Sequence, residues 1–390
     1  MPNPEGLRFN PNVLSTQPSA IRAIYQFAPK NIPLISLGLG ELSYDPPQAV
    51  RDAMHAAIEQ KGANKYTPNN GIPELRAAIA QDIGRRHGVE RGIDDVIVTV
   101  GSTEALFAAL YTFLAEGNSV VLPEIGYTAY QGDAGMMGHR TFLYKLREDF
   151  EPDIGNIVDQ LDDSPGTKLV ILNSPSNPNG HVTRQETVEE LAERTKNRND
   201  VVFLSDDIYE DFVYDNRNTV SIARYLADKT ITISGLSKSA SITGYRLGWM
   251  SGPSRIIQEA SKAHMFMVSS ADSIVQRGAI PVVRGECVSE VTAFKVDLQR
   301  KRDLMVDQLR QIPNISTVNP EGAFYCFIEV GNYGNSMNVS RRIIEETGVV
   351  TTPGIAFGDA ADKFIRLSYA VDDKAIIDGT EKIKGVFESW

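Results

Sequence analysis

Lys238 and Arg246 stand eight residues apart in TITISGLSKSASITGYRLGW, residues 230–249. A β-type run, Thr230 to Ile233, ends in Ser234 and Gly235. Ser237 and Lys238 then fall in a stretch of small residues that reads as a loop, and Arg246 opens a second apolar run through Trp249. A lysine amine condenses with a carbonyl to a Schiff base. An arginine fork grips a phosphate through two parallel hydrogen bonds. A cofactor carrying both groups is pyridoxal 5′-phosphate (PLP). Alone, a Ser-Lys pair suits a solvated surface equally well.

Three more places put polar residues just after an apolar run. Gly101-Ser102-Thr103 follows VIVTV and opens a helix. A glycine turn, free helix N–H groups and two hydroxyls make a cup for phosphate, and a plain Ser/Thr cap reads the same way. Asn173 to Gly180, NSPSNPNG, follows KLVILN. Its composition is that of a turn-rich loop, and it also offers the Asn177 amide to a ring oxygen. Asp206 to Tyr209, DDIY, follows VVFLS. Asp206 can cap the next helix or pair with a protonated pyridine nitrogen, the charge that makes PLP an electron sink. Tyr209 can donate to the cofactor's phenolic oxygen.

The elements that must position these residues alternate. Helices are predicted over 46–61, 72–87, 104–115, 186–196 and from about 124 to Met137, and strands over 96–100, 119–123, 141–146, 168–173, 201–206 and 230–234. Short apolar runs between amphipathic helices predict an α/β fold with a mainly parallel sheet. In such a sheet, ligands bind beyond the carboxyl ends of the strands, where the polar residues lie. After about residue 290 the pattern becomes α+β: helices 291–311, 337–347 and 373–388, with strands in 323–330 and 363–371. The expected division is a large domain, 46–290, and a small one, 1–45 with 291–390. Residues 1–33, rich in Pro and Asn, are expected to run over the surface.

Composition sets outer limits. Of 390 residues, 42% are hydrophobic and 23% charged, which suits a globular protein with two cores. A formal net charge of −11 argues against a broad nucleic-acid or anionic-membrane surface. Cys287 and Cys326 form no disulfide framework, and the five histidines show no metal-ligand spacing. Without a signal-peptide core or an apolar run long enough to span a bilayer, a cytoplasmic protein is expected.

Ten segments in order resemble the PLP-dependent aminotransferases of class I/II, the aspartate aminotransferase superfamily of fold type I. They are LGLGELSYDPP (37–47), KYTPNNGIPELRAAIA (65–80), TVGSTEAL (99–106), PEIGYTAY (123–130), NSPSNPNG (173–180), SDDIYE (205–210), SGLSKSASITGYRLGW (234–249), PEGAFYCF (320–327), TPGIAFG (352–358) and FIRLSYA (364–370). The resemblance implies a large PLP-binding domain with a smaller α+β domain. Lys238 matches the Schiff-base lysine, Asp206 the pyridinium partner, and Asn177 and Tyr209 the ligands of the phenolic oxygen. Ser102, Thr103 and Arg246 match the phosphate site, with Ser237 beside it, and Tyr127 the ring stacked on the pyridine. Tyr66 matches a tyrosine that reaches a partner subunit's phosphate, which implies a homodimer with shared active sites. Arg366 matches the clamp on the substrate α-carboxylate, Gly40 a backbone position beside it. One departure is Gly235, where many members carry a phosphate-binding serine; Ser234 and Ser237 are the candidates to replace it. Another is Gly40-Glu41-Leu42 in place of Gly-Glu-Pro.

The implied chemistry is ping-pong transfer of an amino group from an L-amino acid to a 2-oxo acid, with Lys238 moving the α-proton. An ordinary lysine, pKa about 10.4, is mostly protonated at neutral pH; burial and the charges of Arg246 and Arg366 are expected to lower it. An eliminating enzyme such as a C–S lyase shares the same motifs and is the alternative. A PLP-binding transcription regulator needs a DNA-binding module for which little chain precedes residue 37, and no GxGxxG marks a nicotinamide site. For the substrate side chain, residues 16–22 and 265–273 are candidates, with Arg22 and Arg277 as possible second cations.

Overall fold

The computed structural model describes residues 7–16 and 20–390. The alternating half of the chain builds a seven-stranded sheet from β1 (Val96–Thr99), β2 (Ser119–Pro123), β3 (Arg140–Tyr144), β4 (Lys168–Asn173), β5 (Val201–Asp206), β6 (Thr230–Gly235) and β7 (Gly248–Ser251). The spatial order is β1-β7-β6-β5-β4-β2-β3. Strand β7 is antiparallel to both neighbours, and every other pair is parallel. Two antiparallel pairings in succession leave β1 running the same way as β6. The carboxyl ends of β1, β2, β4, β5 and β6 therefore open on one edge, which brings their terminal polar residues together.

Both faces of the inner strands are covered, so these are nearly continuous apolar runs, while the edge strand β3 is largely exposed. Side chains alternate in direction along each strand. Val120 and Leu122 pack in a core with the helices Ser102–Thr112, Thr128–Met137 and Ser254–Val268. Val121 packs on the other face with Ile154, Ile157, Val188 and Leu191, from the helices Ile154–Asp163 and Gln185–Thr195.

A second, antiparallel sheet has β8 (Ser316–Thr317), β9 (Tyr325–Glu329), β10 (Thr352–Pro353) and β11 (Phe364–Ser368), in the order β10-β11-β9-β8. Leu298, Met305, Ile343, Ile376 and Ile383 from three helices fill its core with Ile365 and Leu367. Ile35–Ser36 pairs with Val349–Val350, and Leu37 lies fully buried in this core. The early segment thus forms a separate two-stranded sheet and packs with the core of the second sheet.

Some expectations need correction. The stretch 1–33 is not all surface: Ile24 is fully buried against Ile344 and Val350. Lys238 is not in a loop but on one helical turn, Leu236–Ser239. Helices Ile154–Asp163, Ser254–Val268 and Ser273–Val283 stand where no element was expected. Pro281 masks the last of these by lying inside it, against the usual rule. The first carries legible signals, an Asp153 cap and apolar residues at positions 154, 157 and 161.

Candidate active site

A cavity of about 320 Å³ lies at the carboxyl edge of the large sheet, within the usual range for a small-molecule site. Gly40, Ser102, Thr103, Tyr127, Asn177, Asp206, Tyr209, Ser237, Lys238, Arg246 and Arg366 all line it. Tyr66 does not line this cavity; its side chain is 91% exposed in the loop between the helices Gln48–Glu59 and Pro73–His87. Arg22 and Arg277 also lie outside its walls. Arg277 is spent on Gln60 and Ser273. Of the stretch 16–22, Ile21 reaches the cavity, and residues 17–19 lie outside the described residues.

Lys238 Nζ donates to Gly40 O at 2.6 Å. Its pKa falls to about 8, first through burial and then through the positive charge of Arg366, with Arg246 adding to the effect and Glu41 and Asp206 opposing it. Asp206, at the end of β5, is raised to about 6 by burial. Its Oδ2 accepts from Tyr130 Oη at 2.7 Å and its main-chain oxygen from Asn173 Nδ2 at 2.9 Å. Tyr209 and Tyr325 share a hydroxyl contact of 2.9 Å.

Arg366, in β11, is only 2% exposed. It donates to Asn177 Oδ1 and Gly38 O, each at 2.7 Å, and lies 4.2 Å from the ring centre of Tyr325 and 4.9 Å from that of Phe357. Its Nε has no partner, and none of its partners among the described residues is a carboxylate. A buried cation without a counter-charge is costly, and it equips the cavity for an anion. Asn177, having given its oxygen to Arg366, keeps its amide for another acceptor.

Elsewhere along the cavity wall, Gly101 turns the chain at φ 79°, and Ser102 begins the helix Ser102–Thr112. Arg246, at φ 55°, places its guanidinium so that a Cβ on Gly101 would lie 2.4 Å from Nη2. Two hydroxyls, a helix N-terminus and an open guanidinium form one cradle, the donor set a phosphate needs. Gly235 has a steric cause: a Cβ there would lie 2.8 Å from Leu247 O and 2.9 Å from Gly248 Cα, so β7 excludes any side chain. Ser234 Oγ turns away to Asp207 O at 3.4 Å, while Ser237 faces the cavity. The set fits PLP at three points: a lysine for the aldehyde, a carboxylate for the ring nitrogen and a cradle for the phosphate.

Sequence reasoning missed Tyr130, Tyr325 and Asn173 as wall residues. Tyr130 carried a signal, lying one helical turn after Tyr127. The other two sat unremarked within NSPSNPNG and PEGAFYCF.

The family model for class I and II aminotransferases matches residues 32–383. Aspartate aminotransferase of Pyrococcus horikoshii is 31% identical over 380 residues, 96% of each chain. A probable N-acetyl-LL-diaminopimelate aminotransferase of Bacillus subtilis is 32% identical over 96% of this chain and 94% of its own length. Among solved structures, aspartate aminotransferase from Thermus thermophilus with maleate superposes with a TM-score of 0.91 at 28% identity, covering 97% of this chain and all of that one. The aromatic aminotransferase from Pyrococcus horikoshii gives a TM-score of 0.86 at 30% identity, covering 95% and 99%.

Proposed function

Because the chain belongs to the class I and II aminotransferases, PLP-dependent enzymes that pass an amino group from an amino acid to a 2-oxo acid, we propose the following division of labour within its cavity. The observation that carries it is the buried charge of Arg366, with no carboxylate partner among the described residues, in the same cavity as Lys238, whose pKa is depressed. When bound, PLP supplies a carbonyl for the substrate amine and a ring that accepts the electrons left when the α-proton departs.

Lys238 holds the cofactor and, once its amine is free, takes the α-proton at Nζ; a pKa of about 8 leaves a useful neutral fraction near neutrality. Asp206, steadied by Tyr130, would pair with the ring nitrogen. Asn177 and Tyr209 would hold the phenolic oxygen, Tyr127 would pack against the ring, and Ser102, Thr103, Ser237 and Arg246 would hold the phosphate. Arg366 grips the α-carboxylate beside Gly40 and so fixes the direction of the Cα–H bond. Residues 46–290 act as the cofactor-binding domain, with 1–45 and 291–390 as the smaller one.

The same proposal makes the enzyme a homodimer, with Tyr66 completing a partner's phosphate site. Tyr66, Ile58 and Phe266 are large side chains left 91%, 63% and 85% exposed, which suits a covered surface. Hybrids of Tyr66→Phe and Lys238→Ala subunits should regain activity at one of their two sites; no regain sinks the sharing of sites. A cytoplasmic setting and a role in amino-acid metabolism complete the reading, and the two free, buried cysteines suit a reducing compartment.

The decisive test is a panel of amino donors with 2-oxo acids on the PLP-loaded protein, followed by the cofactor's absorbance and by 2-oxo acid product. Activity that needs an acceptor, and that Lys238→Ala abolishes, is expected. Pyruvate and ammonia released without an acceptor would overturn transamination.

A further inference from the structure

The loop that carries Asn177 is pinned by a buried ionic group that lies outside the cavity wall. His181 is 7% exposed and Glu151 is fully buried. His181 Nε2 lies 2.6 Å from Glu151 Oε2, and Nδ1 lies 3.2 Å from Glu321 Oε2. Each ring nitrogen thus faces a carboxylate, an arrangement that favours the protonated ring.

Each carboxylate also holds the loop backbone. Glu151 Oε1 accepts from Arg184 N at 3.1 Å and Glu321 Oε2 from Val182 N at 3.0 Å. Gly180 O in turn accepts from Glu321 N and Gly322 N, at 2.9 and 2.8 Å. The two acids come from distant parts of the chain: Glu151 precedes the helix Ile154–Asp163, and Glu321 precedes β9, which holds Tyr325. Arg366 sits between Asn177 on this loop and the ring of Tyr325 on β9. The stitch thus joins the two supports of that arginine.

We propose that His181 is a positioning residue for substrate carboxylate binding: paired with Glu151 and Glu321, it holds Asn177 and Tyr325 in register around Arg366. This rests on the reading of Arg366 as the carboxylate clamp. Arg184 Nη1 lies 3.5 Å from Glu151, Arg217 Nη2 lies 2.9 Å from Glu321, and Asp149 is bound to Arg184. Burial alone would lower the pKa of His181; the hydrogen bonds to both glutamates reverse this and leave it raised. The pairing is intact below the ordinary histidine range and is lost as pH rises through the raised folded value.

The experiment compares Glu321→Gln, whose side chain is 19% exposed, with His181→Gln and Arg366→Ala in the PLP-loaded enzyme. Expected for the first two is a KM for both amino donor and 2-oxo acid raised roughly 3- to 30-fold, with kcat nearly unchanged. In the unmodified enzyme KM should climb at alkaline pH, and His181→Gln should remove that climb. Glu321→Gln keeps the result readable where His181→Gln folds poorly. If Arg366→Ala raises KM while Glu321→Gln and His181→Gln do not, or if they lower only kcat or melting temperature, the positioning role is overturned. If Arg366→Ala itself leaves KM unchanged, the clamp reading fails instead.

Discussion

Two arginines face the same cavity and are built in opposite ways. Arg246 is exposed, sits on a left-handed backbone turn and spends one hydrogen bond on Thr243 O at 2.8 Å. Arg366 is buried in a strand, held by Asn177 and Gly38, and sandwiched by two aromatic rings. The open arginine shares its anion with a helix N-terminus and two hydroxyls, so no single donor needs to be rigid. The buried one works with little help, and its orientation is settled before any ligand arrives. Preorganisation of that kind lowers the cost of binding; its cost here is a charge kept from water with no carboxylate partner among the described residues.

The contrast breaks most readily at Arg366. Arg366→Gln, which keeps one amide to offer Gly38 O, should raise KM for the amino donor by about 100-fold or more. It should also move Lys238. The positive charge of Arg366 disfavours a protonated lysine, so its loss raises the Lys238 pKa above about 8. Competitive labelling of the amine across pH in the cofactor-free protein would show the shift; an unchanged value would remove Arg366 from its causes.

Arg246→Ala should act on a different quantity. Cofactor affinity, read by titrating the cofactor-free protein with PLP, should fall roughly 10- to 100-fold through one lost charge-assisted contact. Because the side chain is exposed, the melting temperature of the cofactor-free protein should barely change. Equal damage to both quantities would erase the distinction between the two arginines.

The smallest effect is expected at Gly101. Its φ of 79° strains any other residue by about 1 kcal/mol, and the new Cβ would press on Arg246, 2.4 Å from Nη2. Gly101→Ala should weaken PLP binding a few-fold and lower the melting temperature slightly. In the Arg246→Ala background only the stability loss should persist; a full further loss of affinity would mean that the turn, not the arginine, shapes the cradle.

Much of this was legible in the residues. Strand ends at Gly101, Asn173, Asp206 and Gly235 were readable because a buried parallel sheet demands unbroken apolar runs, and the break to polar or small residues is abrupt. The long helix Pro73–His87 was readable for a similar reason, bounded by Pro73 at its start and Gly88 past its end. The single turn that carries Lys238 was not, since four residues are too few to show a period.

The sequence by itself determined which chemical groups this protein owns and that they stand at strand ends, because local pattern and backbone propensity act over a few residues. Tertiary structure alone decided their states. Tyr130 meets Asp206 from 76 residues away, Tyr325 meets Tyr209 from 116, and Arg366 meets Asn177 from 189. The depressed pKa of Lys238 and the buried charge of Arg366 arise from neighbours brought in over such separations. Desolvation and Coulomb energy depend on distance in space, which no local pattern in the chain records.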